Sequence, residues 1–350
     1  MEYSTKKFFL ADFLMSFLVV FGVVMFLPML PSIQGIFKVS VSQISWLPNV
    51  GYLTMIIFAI LAGKFINKIG YKRLLLMSLI IWIMGISIEV LAFKSLNYYV
   101  LVLGRFIEGM AEAIIFPILL SMNKAVFKNI RDERIGLSLM ELGAALGGLV
   151  AAIIAGKFHN SPEQFLIIPV IIAGAIGIFI FRSISEVLTV KNEDVSKYIG
   201  IKEDKKEFLS LLIFIFMIQM IFSSIQVYLV YYMEVFSRSN YTGFVLAIEQ
   251  VLLALGTITP ILAFKQISFK ITRNMIVLPC ILGVSVLAMQ ISIYISVVSV
   301  ALIAFFVGVG FTTLNIHLSK IISTKVSQKV SLYTSIRFLG GFCFPFVGVN

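Results

Sequence analysis

Arg105, Glu108 and Glu112 stand inside an otherwise apolar run, GRFIEGMAEAIIFPILL, from Gly104 to Leu120. Spacings of three and four residues put all three on one face of a helix. A charge at the centre of a membrane-spanning helix costs roughly 2.5–3.5 kcal/mol on the insertion scale, so this face is expected to line a polar cavity rather than meet lipid. The chemistry open to it is proton loading and release, because a carboxyl beside another carboxyl can share its proton while one beside a guanidinium keeps its charge. Glu141, in the next apolar run, comes to a similar depth. Glu112 and Glu141 are therefore expected to share a proton, with helix movement switching Glu108 between environments. The same residues can also be read as a static Arg–Glu ion pair that holds the helix in a bundle.

Other polar residues in apolar runs carry weaker expectations. Glu249 and Gln250 sit at mid-helix, placed to meet a cationic substrate or to make an interhelical hydrogen bond. Glu89 and Glu234 are expected near helix ends and in reach of water, Asp12 to cap its helix, and Arg337 to snorkel toward the inner surface. His317 is expected to be solvated or hydrogen-bonded near a helix end. Two His and two Cys, without ligand-like spacing, offer no disulfide framework, metal site or nucleophile–base constellation. With no P-loop either, neither an enzyme nor a metal or cofactor is expected.

The elements that position these residues follow from composition. Of the 350 residues 60% are hydrophobic and only 13% are charged, and the mean hydropathy is +1.04. Apolar runs of about 20 residues, each able to cross a hydrocarbon core as a helix, predict an all-α polytopic membrane protein. Eleven spans are expected, at 8–30, 44–66, 74–93, 98–120, 134–155, 165–184, 208–232, 242–264, 275–293, 296–317 and 330 to the end. The opening KKFFLADFLMSFLVVFGVVMF resembles a signal peptide, but its apolar run continues without a small-residue cleavage site and predicts a retained first helix. Alternating the spans from a cytoplasmic N-terminus puts nearly all Lys and Arg on the inner side and only Lys38, Lys94, Lys157 and Arg238 on the outer. That bias is the positive-inside pattern and sets the orientation expected in a bacterial-type plasma membrane. The net charge of +11 then reflects topology, and no nucleic-acid partner is implied.

Residues 185–207 form one long polar stretch of both charge signs and predict a cytoplasmic linker between an N-terminal six-helix bundle, 1–184, and a C-terminal bundle, 208–350. Weak repeats at similar spacings support the division: KKFFL at Lys6 with KKEFL at Lys205, the basic turns at Lys68 and Lys265, and LGG at Leu146 and Leu339. Repeated halves of this kind are a transporter architecture with substrate bound near the midplane. Two six-helix repeats call for twelve helices, and the twelfth is missing from the eleven counted.

The turn after the second span reads GKFINKIGYKR, and Gly63, Asn67, Lys68, Gly70, Lys72 and Arg73 are its key positions. With Arg105 and Gly109 four residues apart, with ELGAALGGLVAAIIAG around Gly147 and Gly148, and with SIRFLGGF in the last span, it resembles the major facilitator superfamily, in particular the bacterial multidrug and drug:proton antiporters. Asn67 stands where that family usually has Asp, Tyr71 where it has Arg, and the positions around Ala144 lack its usual Gly-Pro step. The resemblance implies two rocking bundles, a small-molecule substrate, protons as the coupling ion, and gating roles for the turn and for Gly147 and Gly148. Its favoured activity is proton-coupled efflux of lipophilic or cationic compounds. Uptake of an anionic metabolite, with Arg105 as counter-ion, and a truncated non-transporting protein are the alternatives.

Overall fold

A computed structural model describes residues 2–127, 129–158, 160–184, 204–235, 241–263, 269–288 and 292–343. Lipid offers backbone groups no hydrogen-bond partner, so a spanning segment must satisfy its own, and the described residues form helices joined by short turns. In chain order the helices are α1 (Glu2–Met25), α2 (Leu30–Phe37), α3 (Val41–Ile69), α4 (Tyr71–Ser95), α5 (Tyr98–Val126), α6 (Ile130–Lys157), α7 (Pro162–Phe165), α8 (Ile167–Ser183), α9 (Lys205–Val235), α10 (Thr242–Ala263), α11 (Phe269–Ala288), α12 (Ile293–Ile321) and α13 (Val326–Cys343). A 3-10 turn at Leu27–Met29 separates α1 from α2, where Pro28 and Pro31 each remove a backbone donor. Counting α1 with α2 and α7 with α8 gives eleven helical segments among the described residues, the number of spans expected. Eight stretches among the described residues are long and apolar enough to cross a membrane; α5, which carries Arg105, Glu108 and Glu112, is not one of them.

Most helices outrun their apolar windows. α3 starts at Val41 because Ser40 and Gln43 form a reciprocal capping box, and α5 starts at Tyr98 because the Asn97 side chain accepts from Tyr99 N and Val100 N. An apolar window marks only the hydrocarbon thickness, whereas capped helices continue into the polar layer. α9 likewise starts at Lys205, inside the stretch expected to be linker. Positions 185–203 of that linker and the Glu234 side chain lie outside the described residues.

α1 lies along α6, α5 lies between α3 and α4, and α8 closes on α1 and α4. Among the later helices α12 packs between α10 and α11, and α13 lies along α9. The two sets meet chiefly where α3 crosses α13 and where α6 crosses α10. The pairs touch at different levels: Gly63 and Ile56 of α3 approach Ser331 and Ser335 of α13 toward the end where α8 stops and α9 starts, while Gly156 of α6 meets Gly243 of α10 toward the other end.

Candidate functional site

The helix face anticipated around Arg105 is buried. Arg105, Glu108 and Glu112 are each at most 1% exposed, and Glu89 of α4 joins them with no exposure at all. Arg105 Nη1 donates to Glu108 Oε2, lies 3.7 Å from Glu112 Oε1 and 3.4 Å from the Gly22 carbonyl. Its guanidinium also sits 5.5 Å from the centroid of the Phe26 ring. Trp82 Nε1 donates to Glu112 Oε1 at 3.5 Å. Gly51 of α3 gives Arg105 its place, since a Cβ there would lie 2.9 Å from Nε.

Glu89 packs on Gly104, and its carboxyl faces that of Glu108. Glu89 Oε1 and Oε2 and Glu108 Oε1 find no donor among the described side chains. Two facing carboxyls can hydrogen-bond only when one carries a proton. Three buried carboxyls thus surround one guanidinium. The expectation that Glu89 reaches water is corrected: it lies one helix away from its partners, and only the packing of α4 on α5 brings it in.

Glu141 belongs to a second cluster, which corrects the expected Glu112–Glu141 pair. Its carboxylate receives a two-pronged contact from Arg337 of α13, Nη1 to Oε1 at 2.6 Å and Nη2 to Oε2 at 3.1 Å. Asn315 Nδ2 of α12 donates to Oε1 at 2.7 Å, and Tyr333 OH donates to Asn315 Oδ1 at 3.0 Å. Arg337 Nε donates to Gln219 Oε1 of α9 at 3.1 Å, and its guanidinium lies 3.9 Å from the Phe311 centroid and 5.2 Å from that of Phe116. Arg337 therefore does not snorkel to a surface; a carboxylate from the other end of the chain holds it inside.

This second cluster forms the polar wall of a cavity between the two sets of helices. The space not filled by atoms there, opening included, is ≈ 540 Å³. Val19, Val20, Val23, Phe222, Leu253 and Phe338 give it an apolar surface, and Glu141, Arg337, Gln219, Gln226 and Tyr52 its polar groups. Arg105, Glu108 and Glu112 are not among the lining residues, so their face is packed inside the bundle and does not border this cavity. Tyr52 stands between the clusters, its hydroxyl 3.3 Å from Ser223 Oγ and its ring in electrostatic reach of Arg105, Glu112 and Arg337.

The remaining expected residues are placed as follows. Glu249 is buried in α10 beside Gln226 of the cavity wall, and Gln250 packs on α6, where a Cβ at Gly148 would lie 2.6 Å from its Oε1. Gly147 faces the Phe17 carbonyl of α1 instead. Gly63 packs on Ser327 and Ser331 of α13. Gly70 turns the chain between α3 and α4 with φ 89, a conformation that favours glycine. Lys68 is exposed in the last turn of α3, Lys72 Nζ lies 5.5 Å from the Phe181 ring centroid, and Arg73 lies in the first turn of α4. Asn67 lies in α3, and its side chain is outside the described residues.

Asp12 does not cap α1: it is fully buried and accepts from Asn123 Nδ2 at 2.7 Å. His317 is hydrogen-bonded, its Nε2 2.7 Å from Glu207 Oε1. Sequence reasoning also passed over a contact at the linker end, where Lys124 Nζ donates to the Ser319 and Ile322 carbonyls and Ser319 Oγ donates to Glu133.

Known proteins share both sequence pattern and fold. The profile of the Major Facilitator Superfamily matches residues 13–345. A probable triacylglyceride transporter of Mycobacterium bovis BCG and a triacylglyceride transporter of Mycobacterium tuberculosis are each 28% identical over 130 residues, 36% of this chain and 25% of the relative. The chain thus spans a quarter of the length of these curated relatives.

Among solved structures, the human organic anion transporter MFSD10 superposes with a TM-score of 0.74 at 12% identity, over 97% of this chain and 92% of that one. The proton:xylose symporter XylE, bound to 6-bromo-6-deoxy-D-glucose, gives 0.75 at 13% identity, over 98% and 89%. The E. coli fucose:proton symporter FucP gives 0.69 at 14%, over 97% and 90%. With a profile match over nearly its whole length and the same all-helical architecture as these carriers, the chain belongs to the Major Facilitator Superfamily of membrane transporters.

Proposed function

We propose that the chain is a proton-coupled secondary transporter of small lipophilic compounds, working by alternating access. In this reading it sits in a bacterial-type plasma membrane with the N-terminus and linker cytoplasmic, a placement supported by the bias of its basic residues. An N-terminal bundle, α1 to α8, rocks against a C-terminal bundle that starts with α9. The observation that carries proton coupling is the face-to-face pair Glu89 and Glu108: Glu89 Oε1 and Oε2 and Glu108 Oε1 have no donor among the described residues, and a proton between the two carboxyls would supply one. Arg105 and Glu112 complete a cluster in which a small shift of α5 against α4 trades a carboxyl–carboxyl contact for a carboxyl–guanidinium one, which loads or releases a proton.

The mostly apolar cavity wall supports a lipophilic substrate, and so does the likeness to relatives named as triacylglyceride transporters. Export of such compounds, cationic ones included, in exchange for protons is the first version, and Glu249 beside the wall residue Gln226 favours it. Carriage of an anionic compound is the second, favoured by Arg337 at the cavity wall. Arg105 is a poorer counter-ion for such a compound than Arg337, because Glu108 and Glu112 already surround it.

The test is proton flux across proteoliposomes when a lipophilic cation or a lipophilic anion is added. Flux driven by either ion, abolished by Glu108→Gln or Glu112→Gln and reduced by Glu89→Gln, is expected. Folded protein that moves no protons with ions of either charge would overturn the proposal.

A further inference from the structure

We infer that the cavity binds a single-headed amphiphilic anion, whose carboxylate replaces Glu141 on Arg337 while Glu141 takes up a proton. The inference rests on the proposed transport reading and fixes the class of substrate for it. Arg337 is the fixed member of the pair. Gln219 holds its Nε at 3.1 Å, and its guanidinium lies over the Phe311 and Phe116 rings, contacts that do not depend on Glu141. Glu141 is the exchangeable member: it comes from α6 and meets Arg337 of α13 at the polar wall of the cavity. Apart from that arginine, one donor holds it among the described residues, Asn315 Nδ2 at 2.7 Å.

A guanidinium fork matches any carboxylate in the same two-pronged way. An incoming anion can therefore reproduce both contacts, with its apolar body against Val19, Val20, Val23, Phe222, Leu253 and Phe338. A cation gains no such match at Arg337, since to pair with Glu141 it would have to displace both guanidinium contacts.

Charge balance supplies the proton. A bound carboxylate and an ionised Glu141 would place two negative charges against one guanidinium at a mostly apolar wall, and a buried charge without a partner is strongly unfavourable. The titratable groups facing Glu141 are Arg337 and Tyr333 from α13, with Tyr52 of α3 across the cavity. Asn315 from α12, Gln219 from α9 and the valines of α1 bring no charge. None of these adds a cation to offset a second carboxylate, so the exchange is balanced by one proton from solvent onto a Glu141 oxygen. Asn315 can hydrogen-bond either form of that carboxyl by rotating its amide. One anion and one proton then occupy the cavity, and its net charge is unchanged.

The experiment compares three probes of equal chain length, octanoate, octanol and octylammonium, by titration calorimetry on the purified full chain. Buffers of different ionisation enthalpy report the protons taken up. Octanoate is expected to bind most tightly, with about one proton absorbed per anion and an affinity that falls about tenfold per pH unit as pH rises. Glu141→Gln, which mimics the protonated side chain, should bind octanoate with no proton uptake and no pH dependence. Arg337→Gln strands Glu141 without its partner, so the double variant Glu141→Gln/Arg337→Gln is read beside it; in both, octanoate should bind no better than octanol.

Preference for octylammonium, octanoate binding without proton uptake, no octanoate binding, or octanoate binding that survives the double substitution would each overturn the inference. These readouts need no transport. They can fail while proton flux through the Glu108 cluster persists, and succeed where that flux is absent.

Discussion

Arg105 is the residue on which the carboxyl cluster depends, because it is the cation facing Glu89, Glu108 and Glu112. Removing one partner of a buried ion pair is far more disruptive than removing both, about 3–5 kcal/mol in soluble proteins. Arg105→Gln should therefore lower thermal stability in detergent by an amount of that order. Adding Glu108→Gln should restore part of it, and a double-mutant cycle of melting measurements gives the coupling directly. The same residues mark how far sequence reasoning reaches. Arg105, Glu108 and Glu112 were found from spacing alone, since the period of one helix fixes which of its residues share a face. Glu89 and Arg337 were misplaced for the same reason in reverse: the partners of Glu89 sit on another helix, and Arg337 meets Glu141 across 196 residues of chain. No local pattern encodes either encounter.

Two adjacent glycines of α6 do different work at the scale of the element. Gly143 and Gly147, one turn apart, lie against the Phe13 and Phe17 carbonyls of α1, a small-residue stripe that lets two helix backbones approach. Gly148 points the other way, onto Gln250 of α10. The glycine-rich run was legible in the sequence, but one gating role for both residues was expected because the run does not reveal which helix each faces. Gly147→Leu must push against backbone and is expected to destabilise the protein by about 1–3 kcal/mol, the usual range for overpacking, read as a lower melting temperature. Gly148→Leu meets the movable end of a side chain. It should leave the melting temperature close to that of the native chain while slowing transport, because it wedges the α6–α10 contact that has to open.

At the scale of the molecule, the helices of the two halves touch on both sides of the cavity, and alternating access requires those contacts to break in turn. Toward the linker, Gly63 sits against Ser331, and Lys124 and Glu133 reach the end of α12; toward the other end, Gly156 meets Gly243. A Cβ at Gly63 would lie 3.1 Å from that of Ser331 and 2.8 Å from the Ser327 carbonyl oxygen, so α3 and α13 must part slightly to accept it. That brings the Cβ pair toward the range of about 3.5–4.5 Å that a disulfide spans and allows a bond between Gly63→Cys and Ser331→Cys. With the native Cys280 and Cys343, both free, replaced by serine, oxidation of this pair should stop transport and reduction should restore it. Octanoate binding should survive in the oxidised protein, because the bond closes the linker end without touching Arg337 or Glu141. Undiminished transport by fully cross-linked protein would mean that this end does not open in the cycle, and the rocking of one set of helices against the other would have to be abandoned. The predicted separation of binding from movement follows from the architecture: the exchangeable ion pair lies in the cavity, whereas the contacts that must break lie to either side of it.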